Sequence, residues 1–178
     1  GLNNDEVSRL MEQVAQLPDT KKNLRLRAIL SLLTLQGLRQ CEVVRLNVRD
    51  IDFANGVMHV RGKGHDDTEP VHLHPTTQSI LRKYMEDCKI ADGALFVSWS
   101  NNNRNQRMTT KSLRRIVKDT LMALEIYKPV HGFRHYFTTT LLKEYKGDLL
   151  QVARYTRHKS LEMLQVYDDS IKQKADLP

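Results

Sequence analysis

Asn55-Gly56 lies between two short apolar runs, with Ile51 and Phe53 before it and Val57, Met58 and Val60 after it. Asn-Gly in that setting is the strongest local signal of a β-hairpin, because both residues tolerate positive φ. Gly62-Lys63-Gly64 starts another turn, and Val71-His72-Leu73 is the returning strand. The chain must therefore hold a small three-stranded antiparallel sheet. A sheet this small is not stable on its own and needs helices packed against it.

The rest of the sequence supplies helices. Asn4-Asp5 followed by Val7, Leu10, Met11 and Val14 reads as a capped amphipathic helix ending before Pro18. Residues 24–35 are dense in Leu and Ile and predict a buried helix, with Gly37 as its C-terminal stop. A short helix runs through Glu42-Val43-Val44-Arg45-Leu46. Beyond the sheet, Pro75-Thr76-Thr77 opens a helix carrying Ile80, Leu81, Tyr84 and Met85. A polar loop at 101–106 precedes a helix capped by Thr109 or Thr110, with Leu113, Ile116, Val117, Leu121 and Leu124 on its apolar face. Pro129 precedes a helix near 131–145, and two short helices are expected at about 148–155 and 160–168. The predicted fold class is α+β, mainly α with one small three-stranded antiparallel sheet. Without repeats or Gly/Ser linkers, residues 1–178 read as one domain.

Charge narrows the partners. A net charge of +7 and a pI of about 9.5 are the electrostatic footprint of a nucleic-acid binder. No run of about 18 apolar residues could cross a membrane, and no strongly basic amphipathic helix would lie on one. No secretory leader is visible, and the opening residues read as a cut inside a longer protein. Cys41 and Cys88 make neither a disulfide framework nor a zinc motif. They are expected to be reduced, half-buried thiols in a cytoplasmic protein that joins the nucleoid when bound to DNA.

Five segments carry candidate chemistry: Gly37-Leu38-Arg39-Gln40-Cys41-Glu42, Gly62-Lys63-Gly64, His131-Gly132-Phe133-Arg134-His135, Thr156-Arg157-His158, and Tyr167 nine positions after His158. Each alone has a plain structural reading. Arg39 after a glycine reads as a solvated charge at a helix C-cap. Lys63 reads as a hairpin-tip lysine, and His158 as a surface histidine. His131 and Arg134 share one helical face and could cap a helix. Tyr167 reads as core beside Leu161, Leu164 and Val166.

In combination and in this order, the segments resemble the tyrosine recombinase (phage integrase) family over residues 2–169. The resemblance covers that family's catalytic domain, and the separate N-terminal DNA-clamping domain is absent from this sequence. It implies the catalytic-domain fold and a set of roles. Arg39 and Arg134 would bind the scissile phosphate, and His131 would be the first active-site histidine. Lys63 would reach the leaving oxygen, His158 would contact the phosphate, and Tyr167 would be the nucleophile. Glu42 is expected to orient neighbouring groups, with His135 in support. Lys111, Arg114, Arg115, Lys118 and Arg157 are expected DNA contacts. The implied partner is double-stranded DNA, bound by a homotetramer, with the free chain expected as a monomer. No cofactor is implied.

Physical chemistry fits these roles. A phosphodiester under attack gathers charge on its non-bridging oxygens, and arginines supply permanent, bidentate donors for them. A tyrosine of pKa about 10 needs a proton acceptor as it attacks, and an imidazole of pKa about 6.5 suits that work. The 5′-oxygen leaves poorly unless protonated, so an acid such as Lys63 must reach it. No metal is then required.

Two features depart from the family pattern: Arg157 replaces a common glycine, and His65-Asp66-Asp67-Thr68-Glu69 is acidic where the lysine hairpin is usually basic. Three alternatives stay open. A DNA-binding module would have no need of Tyr167. A type IB topoisomerase would use similar chemistry. A metal-dependent nuclease would draw on His59, His65, Asp66, Asp67, Glu69, His72 and His74, where His72 and His74 could share one strand face.

Overall fold

The computed structural model describes residues 1–62, 67–144 and 148. Six α-helices, one 3-10 turn (Val48–Asp50, between α3 and β1) and a three-stranded sheet are seen among them, in the order α1 (Asn4–Ala15), α2 (Lys21–Thr34), α3 (Gln40–Arg45), β1 (Ile51–Asp52), β2 (Val57–Arg61), β3 (Thr68–His72), α4 (Pro75–Asp87), α5 (Thr110–Ala123) and α6 (Gly132–Glu144). The expected α+β class, mainly helical with one small antiparallel sheet, is the observed one. The Gly62-Lys63-Gly64 turn and the helices expected near 148–155 and 160–168 lie outside the described residues, apart from Gly62 and Asp148.

α2 is the axis of the molecule. Leu24, Leu26, Ala28, Ile29, Leu30, Leu32 and Leu33 are all buried, so the helix is covered on every side, as a helix apolar all round must be. It packs against α1, α3, α4, α5 and α6. Arg25 is buried on it as well, at 7% exposure. Its guanidinium lies 3.8 Å from the centre of the Trp99 ring and donates to the Val97 carbonyl at 3.2 Å. Tyr84 of α4 stacks on Phe96, and its hydroxyl donates to the Leu95 carbonyl at 2.7 Å. These contacts bind the loop after α4 to the core.

Several boundaries differ from the sequence expectation, each for a local reason. The α1 cap is Asn3, not Asn4: its Oδ1 accepts from Glu6 N at 2.9 Å, and Glu6 Oε1 accepts from Asn3 N at 3.0 Å. α2 begins at Lys21, ahead of its leucines, because Thr20 Oγ1 accepts from Asn23 N. Arg39 is not at the C-cap of α2 but at the N-cap of α3.

β1 is two residues long and the hairpin connection occupies residues 53–56, so Phe53 belongs to the turn. Asp52 causes this. Its carboxylate accepts from Asn55 N at 3.0 Å and Asn55 Nδ2 at 2.7 Å, and Gly56 takes φ +63°. β2 pairs with β3 with Met58 opposite Val71 and His59 opposite Pro70. His74 is not on the strand: it caps α4, with Nδ1 accepting from Thr76 N at 3.1 Å. His72 and His74 therefore share no strand face. Cys41 and Cys88 are both half-buried free thiols.

Candidate active site

Gly37 is where the site begins. α2 ends at Thr34, and the chain must then turn sharply into α3. Gly37 makes that turn at φ +65°, a left-handed conformation that side chains disfavour. A Cβ there would also sit 2.0 Å from the Phe137 ring of α6. The turn thus presses α6 against the end of α2. In this position the Gly37 carbonyl accepts from Arg134 Nη1 at 2.6 Å, two residues before Arg39.

Arg39 is held by Glu42. The Arg39 N–H donates to Glu42 Oε1 at 2.8 Å, and its guanidinium lies 3.5 Å from Glu42 Oε2. The side chain of Glu42 is 2% exposed and that of Arg39 is 43% exposed. A buried carboxylate therefore fixes the start of α3 while the guanidinium reaches outward. Glu42 is thus buried in the first turn of α3 instead of standing in solvent.

His131 is exposed and lies immediately before α6 rather than within it. Its carbonyl accepts from Arg134 N at 3.1 Å and from His135 N at 3.5 Å. The segment leading to it is tied down by Lys128, whose Nζ donates to the Gly1 carbonyl at 2.7 Å and to Glu6 Oε1 at 2.6 Å.

Arg39, His131, Arg134, His135 and Arg114 line one cleft of about 840 Å³. Arg45 lines it too, and among the described residues no aspartate or glutamate lines it. The cleft is a strongly electropositive recess suited to a phosphodiester. Lys111, Arg115 and Lys118 are exposed on α5 but do not line it. With Arg114 they follow the i, i+3, i+4, i+7 spacing of a single helical face. Lys63, Arg157, His158 and Tyr167 lie outside the described residues.

Two cleft residues escaped sequence reading. Arg45 Nη1 donates to the Gly62 carbonyl, joining the end of α3 to the end of β2, directly before Lys63 in the chain. Gln40 Oε1 accepts from Arg114 Nε at 3.2 Å. In sequence, Arg45 signals only a cation complementing a helix C-terminus, and Gln40 signals nothing. Among the described residues no three His, Cys, Asp or Glu side chains converge on a metal-sized site, and no helix is long and apolar enough to cross a membrane.

The family model described as the phage integrase family matches residues 1–174. The chain belongs to the phage integrase family. It is 33% identical over 175 residues to tyrosine recombinase XerD of Oceanobacillus iheyensis, covering 93% of this chain and 56% of that protein. To tyrosine recombinase XerC of Thermodesulfovibrio yellowstonii it is 29% identical over 174 residues, covering 92% and 55%. The chain thus spans about half the length of the curated relatives it matches. Its fold matches a crystal structure of XerA recombinase with TM-score 0.76 and 25% identity, over 99% of this chain and 64% of that one. It also matches XerH site-specific recombinase bound to palindromic difH substrate in a post-cleavage complex. There the TM-score is 0.81 and the identity 23%, over 98% of this chain and 51% of that one. The fold is that of tyrosine recombinase catalytic domains.

Proposed function

We propose that this chain is the catalytic domain of a site-specific DNA recombinase that cuts and rejoins strands through Tyr167. The observation that carries the reading is the convergence of Arg39, His131 and Arg134 on one cleft whose described lining residues include no carboxylate, in a chain of the phage integrase family. Two guanidiniums, each already held by protein, form a fixed cradle for a phosphate whose charge grows during attack.

In the reaction, the Tyr167 oxygen bonds to phosphorus and its proton passes to His131. The bond from phosphorus to the 5′-oxygen breaks, and Lys63 gives that oxygen a proton. His158 adds a donor to the phosphate. The products are a 3′-phosphotyrosyl protein and a free 5′-hydroxyl. Rejoining reverses each transfer, so the phosphodiester bond energy is conserved and no nucleotide cofactor is consumed. Glu42 orients Arg39, while His135 supports the site from α6. Lys111, Arg114, Arg115, Lys118 and Arg157 contact the DNA backbone. The XerH neighbour was solved on its difH substrate, which supports double-stranded DNA as the partner. Strand exchange between two duplexes uses one nucleophile per cut strand, which favours a homotetramer on DNA.

A nicked duplex that loses the short fragment after cleavage tests this reading, because rejoining is then impossible. Protein should become covalently attached to the 3′-phosphate end at the break, at an unchanged rate in excess chelator. Absence of an adduct, or its loss on chelation, would overturn the reading.

A further inference from the structure

We infer that the cleft takes two consecutive phosphates of one DNA strand, with Arg114 holding the second and Gln40 acting as its positioning residue; this rests on the strand-cleaving reading above. Three of the four arginines lining the cleft are engaged by main chain or by Glu42. Arg134 lies on the Gly37 carbonyl, Arg45 on the Gly62 carbonyl and Arg39 on Glu42. Arg114 differs. Its Nε is taken by Gln40 Oε1 at 3.2 Å, which sets the plane of the guanidinium. Its two Nη groups have no hydrogen-bond or ion-pair partner among the described residues. Four N–H donors therefore remain, in the fork that matches a phosphate.

Charge and position identify the occupant. One phosphodiester carries a single negative charge, which Arg39, Arg134 and His131 are already arranged to meet. Arg114 brings unengaged donors to the same cleft, whose described lining holds four arginines and no carboxylate, so a second anion is favoured there. Gln40 directly follows Arg39, and adjacent Cα atoms are about 3.8 Å apart. The guanidinium that Gln40 steadies lines the same cleft as Arg39. The nearest anion to any phosphate in DNA is the next phosphate of the same strand, one nucleotide and about 3.4 Å of axial rise away.

The test replaces phosphates of the cleaved strand one at a time with neutral methylphosphonates and measures single-turnover adduct formation. Wild-type protein should slow by about tenfold when one of the two phosphates next to the scissile one is neutralised. Arg114→Ala should be slow on unmodified DNA and lose nothing more at that position, while keeping its sensitivity elsewhere. Gln40→Ala retains the charge and should show an intermediate loss at the same position. The inference is overturned if Arg114→Ala keeps full sensitivity at both adjacent phosphates, or if the wild type has none there. It is also overturned if the coupling falls on the opposite strand or on a guanine base. An adduct that forms with such an outcome leaves the parent reading intact; no adduct on any DNA defeats the parent reading itself.

Discussion

Arg39 and Arg134 owe their placement to two groups that do no chemistry, the buried carboxylate of Glu42 and the carbonyl of Gly37. Donors fixed before the reaction stabilise growing charge without reorganising. Arg39→Ala and Arg134→Ala should each slow single-turnover cleavage by about a hundred- to a thousandfold. Lys63→Ala should behave differently. On DNA whose 5′-bridging oxygen is replaced by sulfur, the leaving group needs no proton. Lys63→Ala should recover most of its lost rate there, and Arg39→Ala should not. Equal slowness of Lys63→Ala on both substrates would pass the acid role to another group, with His65 first in line. Arg39, His131 and Arg134 were legible in sequence because each sits in a short local pattern. Arg45 and Gln40 were not, because what makes them cleft residues is contact with β2 and α5, far along the chain.

Two junctions between elements decide whether the site assembles. At the first, Gly37→Ala would place a side chain in left-handed backbone, at about 1–3 kcal/mol, and drive a methyl into Phe137. Overpacking adds about 1–3 kcal/mol. Each kcal/mol lowers the melting temperature of a domain this size by about 2–4 °C, so thermal unfolding should show a drop of several degrees. An unchanged melting temperature would contradict the account of the turn. At the second, Lys128 beside Glu6 holds that carboxyl below its ordinary value of 4.5. A depressed folded pKa means the ion pair stabilises the protein above about pH 4.5 and loses its effect as pH falls through the lowered value. Glu6→Gln should therefore melt lower than wild type at neutral pH and converge with it in acid. A constant difference across pH would exclude the ion pair as the cause. The helices and the order of strands were readable from periodicity and from Asn55-Gly56. The hairpin connection starts earlier than Asn55-Gly56, and α2 earlier than its leucines, because Asp52 and Thr20 act through side-chain hydrogen bonds that apolar spacing does not report.

For the whole molecule, the net charge of +7 is gathered in part as a stripe on α5 beside the cleft, from Lys111 through Arg114 and Arg115 to Lys118. DNA binding should weaken steeply with salt, since each neutralised phosphate releases counterions. Lys118→Ala should reduce the slope of log affinity against log salt by about 0.9 without changing sequence preference; an unaltered slope would remove Lys118 from the interface. Because the chain spans about half of relatives such as the XerD and XerC proteins, its binding alone should be weak and only loosely specific. The central claim is that Tyr167 forms the bond to DNA. The most direct measurement is to trap protein on a nicked substrate, digest the adduct and locate the modified residue by mass spectrometry, with Tyr167→Phe in parallel. The account predicts a 3′-phosphate attached at Tyr167 and no adduct from Tyr167→Phe that still binds DNA normally. An adduct on any other residue, or one that persists in Tyr167→Phe, would contradict it.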